Sequence, residues 1–151
     1  MTTAAAPVTD RPFASDEELE ELVSGFEDGS LPTPRWTHRA HPAVGLVYCD
    51  RMPATVALAL LRERIRRYNL ASGGENTSTA GYHETITRFY VYIVRRFIAE
   101  DREESTLAER ANRLFQRYGA RDLPRRYYSE ARLFSVEARA SWVDPDLRPL
   151  D

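Results

Sequence analysis

The chain contains no lysine. All 21 of its basic residues are arginine, which removes Schiff-base chemistry and a phosphate-loop lysine from consideration. It has one cysteine, Cys49, so no intrachain disulfide can form, a pattern that suits a reducing cytoplasm. Long apolar runs are missing as well. The richest, ITRFYVYIVRRFI, is broken by arginine and too short to span a bilayer, so no membrane partner is expected. The opening MTTAAAPVTDRPFAS has neither the basic region nor the apolar stretch of a signal peptide and reads as a flexible leader over residues 1–14. Histidine is scarce too: the three present all fall in two short words, WTHRAH and GYHET.

What is there describes a soluble globular domain, expected in the cytoplasm. A length of 151 residues, 42% hydrophobic and 29% charged, is enough for one domain with its own core. The net charge of −2 argues against general nucleic-acid binding and leaves a homo-oligomer open. The periodicity is helical throughout. Ser15 and Glu18 fit a capping box ahead of a stripe of Leu19, Leu22, Val23 and Phe26, and Gly29 fits the stop. A second helix starts within WTHRAHP, capped by Thr37 or His41, and runs to about Asp50. A third follows Pro53 with Ala54, Leu58, Leu61, Ile65 and Tyr68 on one face.

The loop LASGGENTSTAG leads to the most buried-looking helix, over about 80–100, where Tyr82, Ile86, Phe89, Tyr90, Ile93, Val94 and Phe97 face inward. Thr106 and Glu109 cap another helix, closed by Gly119, and the rest reads as short helices and a proline-rich tail. No segment alternates like a strand. The expected fold is an all-α, single-domain bundle of about five or six helices over residues 15–151.

His38 and His41, three residues apart, share a helix face that continues through Gly45, Tyr48 and Cys49. His83 leads the line Thr87, Tyr90 and Val94 on the buried helix. If the two helices pack, His38, His41 and His83 converge. Three imidazoles suit one divalent transition metal (Zn, Fe, Ni, Co or Cu), and three ligands with an open position are the pattern of catalytic sites. The ordinary alternative is that each histidine is a hydrogen-bonded packing residue or a helix cap.

Glu84 beside His83, and Tyr48 on the histidine face, are the candidate proton-moving catalytic groups. The competing role for Glu84 is an i,i+4 pair with Arg88. Arg66, Arg67 and Asn69 at the end of the third helix, with Asn76 in the following loop, are candidate substrate-binding residues; helix-end solvation is the other reading. Glu27 and Asp28 are weaker candidates to reach the site, and Cys49 reads mainly as a small buried hydrophobe.

WTHRAH, followed some forty residues later by YN and then by GYHETIT, resembles an uncharacterised family of small helical bacterial proteins, over most of the chain from Phe26 to the DPDL near the end. The resemblance implies a shared histidine site and attaches no reaction to it. Two functions are therefore expected: a metal-dependent enzyme acting on a small-molecule substrate (a hydrolase, a lyase or an oxygen-using enzyme), or a non-catalytic helical binding or interaction module with structural histidines.

Overall fold

The computed structural model describes residues 11–151, which form seven α-helices and no strand. These are α1 (Asp16–Asp28), α2 (Ala40–Arg51), α3 (Ala54–Ala71), α4 (Glu84–Glu100), α5 (Leu107–Tyr118), α6 (Glu130–Leu133) and α7 (Val136–Ala140), with short 3₁₀ turns at Thr33–Arg35 and Pro124–Arg126. Five long helices and two short ones make the all-α class expected. Of the expected leader, residues 1–10 lie outside the described residues.

Local capping chemistry sets most boundaries. The Ser15 hydroxyl accepts from the Glu18 N–H at 3.2 Å, and Gly29 ends α1 in the left-handed conformation, φ 79°. Thr106 and Glu109 form a complete reciprocal box at the start of α5. Before α2 the N-cap position falls on Arg39 and not on Thr37 or His41, while Thr37 closes the preceding turn: its hydroxyl accepts from the Ala40 N–H at 3.2 Å, and its carbonyl accepts from the His41 N–H at 3.3 Å.

The most enclosed helix is α2, with eight of its twelve residues buried against seven of seventeen in α4. α4 is amphipathic and two-sided in its role. One face joins α1, α2, α3 and α5 in the main apolar cluster through Val91, Val94 and Phe97. The other carries Phe89 and Ile93 into a second cluster with Leu123, Tyr127, Tyr128 and Leu133. The C-terminal segment is thereby packed onto the bundle. The Thr85 hydroxyl fastens it, donating to the Ser141 carbonyl at 2.9 Å and accepting from the Val143 N–H at 3.2 Å.

Gly45 marks the crossing of α2 over α4. A Cβ added there would lie 3.6 Å from Val94 Cγ2, an ordinary van der Waals distance, beside a small apolar cavity of roughly 80 Å³. The site therefore has room for a methyl group, while glycine inside a helix costs about 1 kcal/mol relative to alanine. Gly45→Ala is expected to stabilise the fold by about 1 kcal/mol, read as a raised urea midpoint with unchanged slope. A lowered midpoint would mean that the two helices cannot accommodate even that methyl.

α4 begins at Glu84, about four residues later than the apolar pattern suggests, and His83 is its N-cap. The cause lies in Gly81, which has φ 83° and ends the preceding loop in a turn that no helix can enter. Tyr82 and His83 are buried, so they read as helical, but both precede the helix, and the His83 backbone is still extended at the cap.

Candidate functional site

The three histidines each bond to a backbone carbonyl. His38 Nε2 donates to the Gly119 carbonyl at 2.8 Å and its ring meets Phe115 edge-on, which docks the entry to α2 against the end of α5. His41 Nδ1 donates to the Thr37 carbonyl at 2.6 Å, and the ring lies against Trp36 with centroids 4.0 Å apart. His83 uses both nitrogens. Nε2 donates to the Leu133 carbonyl at 2.7 Å, and Nδ1 accepts from the Ile86 N–H at 3.1 Å, capping α4.

Convergence of the three rings needs both histidine faces to turn inward. His83 does and is buried, His38 is half-buried, and His41 is exposed. His38 and His41 share the wall of one cavity, and His83 does not line it but bonds to two residues that do, Ile86 and Leu133. Among the described residues, no group of three or more His, Cys, Asp and Glu is arranged to hold a metal. As placed, these side chains do not fit a three-histidine centre, because His83 would first have to release the Leu133 carbonyl or the α4 cap.

The His83 geometry has a pH signature. Burial, reinforced by the Arg139 charge against the opposing Leu133 bond, holds its imidazole below the ordinary histidine value. Protonation also converts Nδ1 from acceptor to donor and breaks the cap. The unfolded chain thus takes up a proton near pH 6.5 that the folded chain refuses. Stability is full above about pH 6.5, declines as the pH falls through the window below it, and levels off under the depressed folded-state pKa. Urea midpoints compared between wild type and His83→Gln from about pH 8 to 5 should diverge at high pH and converge as the pH drops. Parallel curves would remove this role.

A second constellation lies at the other side of the α4 N-terminus. Glu84 is 7% exposed, and both its oxygens are engaged: Oε1 by Arg62 Nε at 2.8 Å and the Tyr82 hydroxyl at 2.7 Å, Oε2 by Arg62 Nη2 at 2.6 Å. The bidentate Arg62 guanidinium, despite the opposing effect of burial, holds the Glu84 carboxyl below the usual range, so as a base it is weak. The i,i+4 pairing of Glu84 with Arg88 is replaced by this bond across to α3. Arg88 instead lies over Trp142, its guanidinium carbon 4.9 Å from the ring centre.

Around Glu84 opens a cleft of roughly 600 Å³ between α3, α4, α7 and the loop before α4. Four guanidinium-bearing residues line it: Arg62, Arg66, Arg88 and Arg139, with Glu84 as the one acid, and Thr77, Ser78, Ser141 and Trp142 complete the wall. Arg139 donates to the Gly81 carbonyl at 2.7 Å and Arg62 is committed to Glu84. Arg66 and Arg88 make ring contacts, to Tyr82 and Trp142, and no ion pair among the described residues. The cleft is thus net positive, with two cations in reach of a bound group.

Asn76 builds the loop that forms one rim. Its side-chain oxygen accepts from Asn69 Nδ2 at 2.9 Å and from the Tyr82 N–H at 3.0 Å, and its amide donates to the Arg66 carbonyl at 2.9 Å. Three expected residues, Arg66, Asn76 and Glu84, therefore meet in this cleft, with Asn69 behind them. Arg67 points elsewhere and donates to the Glu27 carbonyl at 2.8 Å, closing the end of α1. Arg62, Arg139 and Trp142 were missed by sequence reasoning. The spacing of Arg62 and Arg66, four apart on α3, was the available signal for the first.

Tyr48 lines neither cleft. Its hydroxyl donates to Glu27 Oε2 at 2.5 Å and accepts from Arg64 Nη1 at 2.6 Å, while burial, with Glu27 beside it, pushes its pKa up to about 12. Glu27 belongs to this structural triad and not to the histidines; Asp28 accepts from the Ser30 N–H at 2.8 Å. Cys49 is half-buried against the main core, and burial pushes its thiol up to about 11, as suits a packing residue. Among the described residues, no helix is long and apolar enough to cross a membrane. Against known protein families, curated proteins and solved structures, the chain has no match.

Proposed function

We propose that this chain is a helical binding domain for a small dianionic molecule, a phosphate monoester or a dicarboxylate, held in the arginine-lined cleft beside Glu84. One observation carries the reading: four arginines converge on a roughly 600 Å³ cleft that holds a single acid. That volume is within the ordinary range for small-molecule sites. Guanidinium groups present paired donors that match carboxylate and phosphate oxygens. Arg66 and Arg88, stacked on rings and not paired with acids, can turn those donors to a ligand at little cost. Thr77, Ser78 and Ser141 add hydroxyls suited to the ligand's remaining polar groups.

Calorimetric titration with inorganic phosphate and, separately, with succinate tests the proposal. Saturable binding of either at low salt, weakening as salt rises, is expected, and the tighter of the two identifies the class. Failure of both to saturate would end the reading. Glu84→Gln gives a sharper check. It removes the like charge in the cleft and frees Arg62 from a full ion pair, so anion affinity should rise roughly three- to tenfold, a Coulomb effect of about 1 kcal/mol. A loss of affinity would mean that Glu84 contributes to the ligand directly.

The rival is the metal-dependent enzyme with His38, His41 and His83 as ligands. It requires His83 to give up its present bonds, and its support is the shared cavity wall of His38 and His41. Metal analysis of untagged protein decides between them. Stoichiometric Zn, Fe, Ni, Co or Cu, lost in His83→Ala, would replace the binding-domain reading with the enzymatic one.

A further inference from the structure

We propose a second ligand site, independent of the arginine cleft, for a monocarboxylate with an apolar body, in the cavity where the entry to α2 faces α4 and α6. This cavity has a volume of roughly 390 Å³, also within the range of small-molecule sites. Its floor is apolar and comes from three separate segments: Pro42 on α2, Ile86 and Tyr90 on α4, and Leu133 on α6. Burial pushes the Tyr90 hydroxyl up to about 12, so the ring stays neutral at any physiological pH.

Phe134 stands at the rim with 58% of its surface exposed, a large apolar side chain at the mouth of an apolar cavity. The charged groups at the mouth all have one sign. Arg121 and Arg125 line it and no acidic residue does. Arg125 is paired with Glu130 at 3.1 Å, whereas Arg121 makes no ion pair or hydrogen bond among the described residues. Nearby Asp122 is taken by Arg126 at 3.0 Å.

An apolar floor, an aromatic rim and one uncommitted arginine describe the ligand by its chemistry. Its body is the size of an aromatic ring or a medium-length alkyl chain, and its head is a carboxylate that reaches Arg121. Apolar burial supplies the affinity, and the charge-assisted hydrogen bond selects the acid over a neutral analogue. The dianions suited to the arginine cleft are disfavoured here, because the floor is apolar and Arg125, the second arginine at the mouth, is already paired with Glu130. The histidines take a bland part in this site. His38 and His41 form its polar edge, held in place by their carbonyl bonds to Gly119 and Thr37.

The test uses 4-phenylbutyrate and its neutral counterpart 4-phenylbutan-1-ol, followed by amide chemical shifts on the full chain. The acid should bind saturably, with shifts at Ile86, Leu133 and Phe134, and about tenfold more tightly than the alcohol, the value of one hydrogen bond to a charged group. Arg121→Ala should erase that preference and leave the alcohol's affinity unchanged, whereas Phe134→Ala should weaken both. Arg121 and Phe134 are exposed, so neither variant disturbs the core. Arg66→Ala, in the other cleft, should leave phenylbutyrate binding unaltered, which keeps this site's failure distinct from that of the arginine cleft. The proposal is overturned if phenylbutyrate does not saturate, if the alcohol binds as tightly as the acid, if Arg121→Ala changes nothing, or if the shifts gather around Arg66 and Arg88.

Discussion

Gly81→Ala is expected to be the most damaging single-methyl addition in the loop before α4. Gly81 holds φ 83°, and a Cβ there would stand 1.9 Å from the Glu75 carbonyl oxygen and 2.8 Å from Asn76 Oδ1. The left-handed backbone alone costs an L-residue roughly 1–2 kcal/mol. The clash is with backbone, which cannot step aside as a flexible side chain would. Relief means moving the loop, and the loop is tied down by Asn76 to Arg66, Asn69 and Tyr82. The sum should exceed about 3 kcal/mol, placing the substitution among the large effects with a named mechanism. A fall in the urea midpoint of that size, together with weakened anion binding, is the expected result. A near-neutral substitution would show that the loop does not adopt this turn.

The double substitution Arg66→Ala/Arg88→Ala should have the largest effect on binding and almost none on folding. Both side chains are exposed at the cleft and rest on aromatic rings. Such contacts are worth about 0.5–1 kcal/mol at exposed positions. A hydrogen bond to a charged group contributes roughly 1.5–3 kcal/mol, so each arginine should weaken phosphate or succinate about ten- to a hundredfold, and the pair by more than about a hundredfold. Thermal midpoints within a few degrees of wild type would establish that the loss is local. Unchanged affinity in a folded double variant would move the anion site away from this cleft.

How far the sequence carried the reading depends on how local the determining physics is. The caps at Ser15 and Thr106 are decided within four residues, and both were readable from the side chains alone. The start of α4 was not. His83 is outside the usual set of capping residues, and its imidazole caps only because its other nitrogen is held by Leu133, fifty positions away. Helical periodicity also made α4 look more buried than α2. α4 has a sharper apolar stripe, whereas α2, small and apolar almost all round, is enclosed on most sides.

The site shows the same division. Arg66, Asn76 and Glu84 stood out individually, since a loop amide and a carboxylate at a helix start are visible as exceptions. Their gathering into one cleft was not visible, because Arg62 reaches it from α3 while Arg139 and Trp142 reach it from α7 and the residues just after it, far away in the chain. Arg62 in particular reads as a solvated helix position until Glu84 is placed opposite it. The histidines illustrate the converse. Scarcity and spacing drew attention to all three, but spacing cannot say where a ring nitrogen's hydrogen bond goes. Here carbonyls of Gly119, Thr37 and Leu133 take them.

The central claim is that the arginine cleft binds a dianion through Arg66 and Arg88. The most direct measurement is a titration of the full chain with inorganic phosphate and with succinate, following the arginine Nε–Hε resonances. The account predicts saturable shifts at Arg66 and Arg88 with at least one of the two anions, with smaller changes at Arg62 and Arg139 and none at Arg67, which is bonded to the Glu27 carbonyl on the far side of α3. Shifts spread evenly over the surface arginines, or none at all at saturating anion, would contradict it.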